Sequence, residues 1–113
     1  MGLAFNHSEA YWTYSAFNNF RRRLAKQLGF NLDEMYGFGG EVSWDTIVDD
    51  IKDLLNHSDC EGDLTPEQCK TIYPRLIELV KEWDDEDRDK QNAIILAEDM
   101  KWCYERRLIL EFV

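Results

Sequence analysis

The sequence predicts a mainly α-helical fold: a single domain over residues 1–113, built as a bundle of about four helices. Three observations lead there. Apolar residues recur at spacings of three and four in several stretches, as they do on helices with one buried stripe. Capping residues and glycines stand where those stretches begin and end. Apolar residues make up 44% of the chain and aromatics 13%, enough to build a core in 113 residues despite 32% charge. No repeat or low-complexity linker marks an internal boundary.

In SAFNNFRRRLAKQLG, Phe17, Phe20, Leu24 and Leu28 share one face, which predicts a first helix over 16–28 with Ser15 at its start and Gly29 at its end. FNLDEMYGFGG predicts a short turn of helix opened by Asn31 and closed by Gly37, then a glycine loop through Phe38, Gly39 and Gly40. Ser43 precedes WDTIVDDIKDLLN, whose stripe of Ile47, Val48, Ile51, Leu54 and Leu55 predicts a second amphipathic helix. Thr65-Pro66-Glu67-Gln68 is a capping box with proline at the first helical position. It opens a third helix bearing Cys69, Ile72, Tyr73, Leu76, Ile77, Leu79, Val80 and Trp83, in which Pro74 predicts a kink or local break. A fourth helix, about 87–106, presents Ala93, Leu96 or Ala97, Met100, and Cys103 or Tyr104. Tyr11–Tyr14 and Leu108–Phe112 are short and β-prone, and predict a small two-stranded pairing of the termini.

Between helices two and three lies HSDCEGDLTPEQC, an EF-hand-like loop. With Gly62 as the sixth of twelve positions, the metal candidates are His57, Asp59, Glu61, Asp63 and Gln68, with Ca²⁺ as the ion. Asp59 and Glu61 supply hard oxygens. His57 offers nitrogen where an Asp is wanted, and Gln68 one neutral oxygen where a bidentate Glu is wanted. The loop therefore reads first as a metal-free turn that orients two helices, with a degenerate metal-binding helix-loop-helix as the alternative. Cys60, Cys69 and Cys103 with His57 lack zinc spacing, and Cys69 falls on an apolar stripe. Three thiols with no secretory signal predict a reducing, cytoplasmic setting. His57 and Cys60 have no oxyanion hole or orienting carboxylate beside them, so no catalytic residue is expected. YGFGG follows a helical segment, where a dinucleotide fingerprint would follow a strand.

The net charge is −10. Residues 1–29 hold four basic residues and one acidic, +3, and residues 30–113 hold nine basic and 22 acidic, −13. Such acidity disfavours nucleic acid and anionic membrane and favours a basic protein partner. The expected contact surface is Asp45, Asp49, Asp50, Asp53, Asp84, Asp85, Glu86 and Asp87. Arg21, Arg22, Arg23 and Lys26 are read as a solvated face in preference to a phosphate-binding cluster.

Three segments stand out together: the YS-x-F-x-x-FR-x-x-LA stretch from Tyr14 to Ala25, GFGG at 37–40, and HSDC-x-G-x-LTPE-x-C from His57 to Cys69. In these the chain resembles a family of small uncharacterised bacterial and phage-encoded proteins. The resemblance implies a shared fold and brings no activity with it. The expectation is a small acidic protein-interaction module of the inhibitor or immunity type, without catalysis of its own, acting on a larger partner with a basic cleft.

Overall fold

The two long helices begin at the capping residues that the sequence places there. Thr65 Oγ1 accepts the Gln68 backbone N–H at 3.2 Å, and Gln68 Oε1 accepts that of Thr65 at 2.8 Å, closing a capping box. The Asp87 carboxylate accepts from the backbone N–H groups of Asp89 and Lys90. In the computed structural model, which describes residues 2–113, the elements are β1 (Gly2–Phe5), β2 (Ser8–Thr13), α1 (Tyr14–Gln27), α2 (Lys52–Leu55), β3 (Asp63–Leu64), α3 (Pro66–Val80), α4 (Arg88–Arg106) and β4 (Leu110–Glu111). Two 3-10 turns, Leu32–Glu34 and Trp44–Thr46, lie between α1 and α2. The fold is mainly α, with four helices and two small antiparallel strand pairs. No helix is long and apolar enough to cross a membrane.

The helices α3 and α4 pack along one another, burying Cys69, Ile72, Leu76, Leu79 and Val80 against Ala93, Leu96, Ala97, Met100 and Cys103. Each fully buried leucine there contributes about 2 kcal/mol of transfer free energy. An aromatic layer from β2 and α1 joins this core: Trp12 stacks on Phe20 at 4.9 Å and tilts against Phe17 at 5.4 Å. Trp12 Nε1 donates to Asp89 Oδ1 at 3.0 Å, fastening the hairpin to α4. Pro74 does not break α3. It is exposed, so the Lys70 carbonyl left without an amide partner lies on a wet face.

Three expectations are corrected. The first helix starts at Tyr14, because Thr13 Oγ1, not Ser15, accepts the Ala16 N–H at 3.2 Å. The single amphipathic helix expected over 44–56 is broken into the turn Trp44–Thr46 and the four-residue α2. Ser43 Oγ caps the first turn, accepting from Asp45 N at 3.1 Å, but Asp49 Oδ1 accepts from Ile51 N at 3.0 Å, a donor that a continuous helix would direct to the Ile47 carbonyl. Ile51, Leu54 and Leu55 are buried, whereas Val48 is 95% exposed.

The third correction concerns the strands. Tyr11–Thr13 pairs with β1 through a tight local reversal, with Leu3 opposite Trp12. The C-terminal strand pairs with β3, Leu64 opposite Leu110. The two ends still meet, but through Ala4 and Phe5: Val113 N donates to Ala4 O at 2.9 Å, Ala4 N to Val113 O at 3.2 Å, and Phe5 bridges Phe112.

Two substitutions test the helix account by chemical denaturation. Thr65→Ala should cost about 1 kcal/mol through loss of the cap. Pro74→Ala should stabilise by about 1–2 kcal/mol, the recovered helical bond exceeding the added unfolded-state entropy.

Candidate functional site

Consecutive residues on an α-helix project about 100° apart, so Arg21, Arg22 and Arg23 enter three different environments. Arg22 points outward and its Nε donates to Asp33 at 3.0 Å. Arg23 binds Asp87 at 2.8 Å and Asp89 at 2.7 Å, with its guanidinium 3.8 Å over the Trp83 ring. Arg21 lies four residues after Phe17 and three before Leu24, on the apolar face, and is 1% exposed. The solvated basic face expected for this run is therefore corrected: one of its arginines is buried and the other two neutralise acids on distant segments. Lys26 remains exposed in the last turn of α1.

Arg21 ties α1 to the loop after α2. Its Nη1 donates to the Leu55 carbonyl at 3.2 Å and to the His57 carbonyl, and its Nη2 donates to Asn18 Oδ1. The guanidinium sits 4.6 Å from the Phe17 ring centroid and 5.1 Å from that of Phe38. Nε is buried and has no acceptor. Burial pushes the Arg21 pKa down to about 10, against the opposing pull of nearby Asp59. Asp59 is held through an intermediary, its Oδ2 accepting from Asn18 Nδ2 at 3.0 Å.

Above this network opens a cleft of about 380 Å³, lined by Asn18 and Arg21 of α1, Gly37 and Phe38 of the glycine loop, and residues 56–59. The glycine loop is held in place by backbone bonds, Tyr36 N to Val42 O at 2.9 Å and Val42 N to Glu34 O at 2.9 Å. A Cβ at Gly40 would run into the Glu34 backbone, so only glycine fits.

The five metal candidates are placed as follows. The His57 ring stacks on Phe112 at 3.9 Å, with Nδ1 and Nε2 each 2.9 Å from a carbonyl oxygen, of Ser58 and Asp63 respectively. Asp59 faces Asn18, Glu61 is exposed and Asp63 belongs to β3. Gln68 serves the capping box, and its Nε2 donates to Asp53 at 3.3 Å. Among the described residues no group of three or more His, Cys, Asp or Glu side chains is placed to hold a metal ion. Cys60 is exposed and free; Cys69 and Cys103 are buried and free. Burial pushes the Cys69 thiol up to about 12 and raises that of Cys103.

The eight expected contact acids divide in two. Asp49 forms a two-pronged pair with Arg75 at 2.9–3.2 Å, Asp85 binds Lys90 at 2.7 Å, and Asp87 binds Arg23. Among the described residues, Asp45, Asp50, Asp53, Asp84 and Glu86 form no ion pair. Asp49 and Asp53 lie against α3 through Arg75 and Gln68, whereas residues 84–87 lie beyond its C-terminal end. Sequence reasoning missed Arg21; its place on the stripe of Phe17 and Leu24 is the pattern that identifies it.

No protein-family model matches the chain, no curated protein matches it, and no solved structure matches it.

Two measurements test the arginine network. Arg21→Met should destabilise by about 3 kcal/mol, since two carbonyls and Asn18 lose their donor inside the protein. Arg22→Ala should cost less than about 1 kcal/mol. On acidification, Asp87 is held below its ordinary 3.8 by hydrogen bonds from Arg23; at Asp49 burial opposes, but bonds from Arg75 and Ile51 N–H prevail. Depressed carboxylates stabilise the fold above their unfolded pKa. Stability should therefore hold above that value and fall as pH drops below 3.8, and Arg23→Gln should flatten the fall in an acid titration followed by circular dichroism.

Proposed function

We propose that this chain is a small acidic protein-interaction module, of the inhibitor or immunity type, that acts on a larger partner by filling a basic cleft. The observation that carries the reading is the set of exposed acids Asp45, Asp50, Asp53, Asp84 and Glu86, which form no ion pair among the described residues. Residues 33–63 hold ten acids and a single base, Lys52. Closely spaced carboxylates repel each other in the isolated chain, and a basic partner relieves that cost.

Exposed apolar side chains stand in the same segment: Val48 at 95%, Tyr36 at 71% and Val42 at 40%. Ordered apolar groups rimmed by charge suit the anatomy of a protein interface. The three free thiols, one of them exposed, support a reducing compartment. The motif likeness to small bacterial and phage-encoded proteins belongs to this reading as its setting and adds no activity.

The test is affinity capture from lysate at low ionic strength, with the native chain beside Asp45→Asn/Asp50→Asn/Asp53→Asn. The native chain should retain a basic protein that is released by about 0.5 M salt. The triple variant should bind it at least about tenfold more weakly. Recovery of no basic protein, or binding indifferent to salt and to the substitutions, contradicts the reading.

A further inference from the structure

The three segments that stand out in the sequence, far apart along the chain, meet at one cleft: Asn18 and Arg21 from α1, Phe38 from the glycine loop, and Asn56, Ser58 and Asp59 from the loop after α2. A guanidinium has five N–H donors. In Arg21, Nη1 uses two on the carbonyls of Leu55 and His57, and Nη2 uses one on Asn18. Among the described residues the buried Nε has no acceptor, and Nη2, with two N–H groups, makes one hydrogen bond, to Asn18. Leaving such donors dry and unpaired is costly, and more so on a charged group.

The opposite end of the network is anionic. Asn18 is a spacer: its amide oxygen faces Arg21, and its amide nitrogen donates to Asp59 Oδ2 at 3.0 Å. Among the described residues, Asp59 Oδ1 accepts no hydrogen bond. Cation and anion are thus held apart by one carboxamide, each with bonding capacity to spare. A bare anion entering here meets Asp59, and a bare cation meets Arg21. A net-neutral ligand with a carboxylate and an ammonium a few ångströms apart satisfies both ends.

We propose that this cleft binds a small zwitterion of the α-amino-acid class, its carboxylate on the unpaired N–H donors of Arg21 and its ammonium on Asp59. The space, about 380 Å³, is of small-molecule size. Asn56 and Ser58 line it and offer polar contacts to the ligand's side chain. The Phe38 ring centroid lies 5.1 Å from the guanidinium carbon, so the ring would have to turn aside to admit the carboxylate. Asp59 lies within the acidic stretch 33–63, but none of Asp45, Asp50, Asp53, Asp84 and Glu86 lines the cleft.

The test is a ¹H–¹⁵N NMR titration of the full chain with a panel of L-amino acids, with acetate and methylammonium as single-charge probes. At least one amino acid should shift Phe38, residues 56–59 and the Arg21 side-chain N–H, and should bind at least about tenfold more tightly than either single-charge probe. Asp59→Asn leaves Arg21 in place and should weaken that amino acid by at least about tenfold while strengthening acetate. Three results would overturn the proposal: no amino acid moves these resonances, acetate matches the best amino acid on the native chain, or Asp59→Asn leaves amino-acid affinity unchanged.

Discussion

A single buried cation organises the irregular third of this molecule. Arg21 occupies a position on α1 where the helical repeat calls for an apolar residue, and removing its charge from water is expensive. The cost is offset by carbonyls at the end of α2, by the Asn18 amide and by two aromatic faces. Of those partners, the Leu55 and His57 carbonyls and Phe38 come from segments with little regular structure to hold them. Between α1 and α3 the chain forms two 3-10 turns and one four-residue helix, and it is fastened to α1 from inside by Arg21 and from outside by Arg22 on Asp33.

The same geometry accounts for the molecule's charge. Three consecutive arginines, spread around a helix, each reach a different part of the chain: the loop after α2, the turn after α1, and the start of α4. The positive N-terminal third indicated by composition is therefore not a positive patch. Its three arginines are spent on packing and on internal acids, and Lys26 is exposed and forms no ion pair among the described residues. Under the proposed function a basic partner would meet the acidic contact surface, while the cleft beside Arg21 holds one cation, Arg21, and one anion, Asp59.

Much of the fold was legible in the sequence, and the failures have physical causes. The α3 and α4 helices were readable because their caps and their stripes agree: Thr65 with Gln68, Asp87, and the spacing from Cys69 to Val80. The stretch from Trp44 to Leu55 has an equally good stripe but lacks a helix of matching length, and Asp49 binds the Ile51 N–H that a continuous helix would need. The β-prone segments were recognisable while their partners were not, since pairing depends on the local reversal at Asn6 and His7 rather than on strand propensity. The cleft was hidden for a different reason. A run of three arginines reads as surface, and only position relative to Phe17 and Leu24 separates the buried one from its neighbours.

The most direct test is amide hydrogen exchange on Arg21→Lys, which keeps the charge and removes the planar fork of donors. If Arg21 is the fastener described here, residues 35–42 and 55–63 lose protection together while α3 and α4 stay close to native. Retained protection in both loops, or an even loss across the whole chain, would contradict the account.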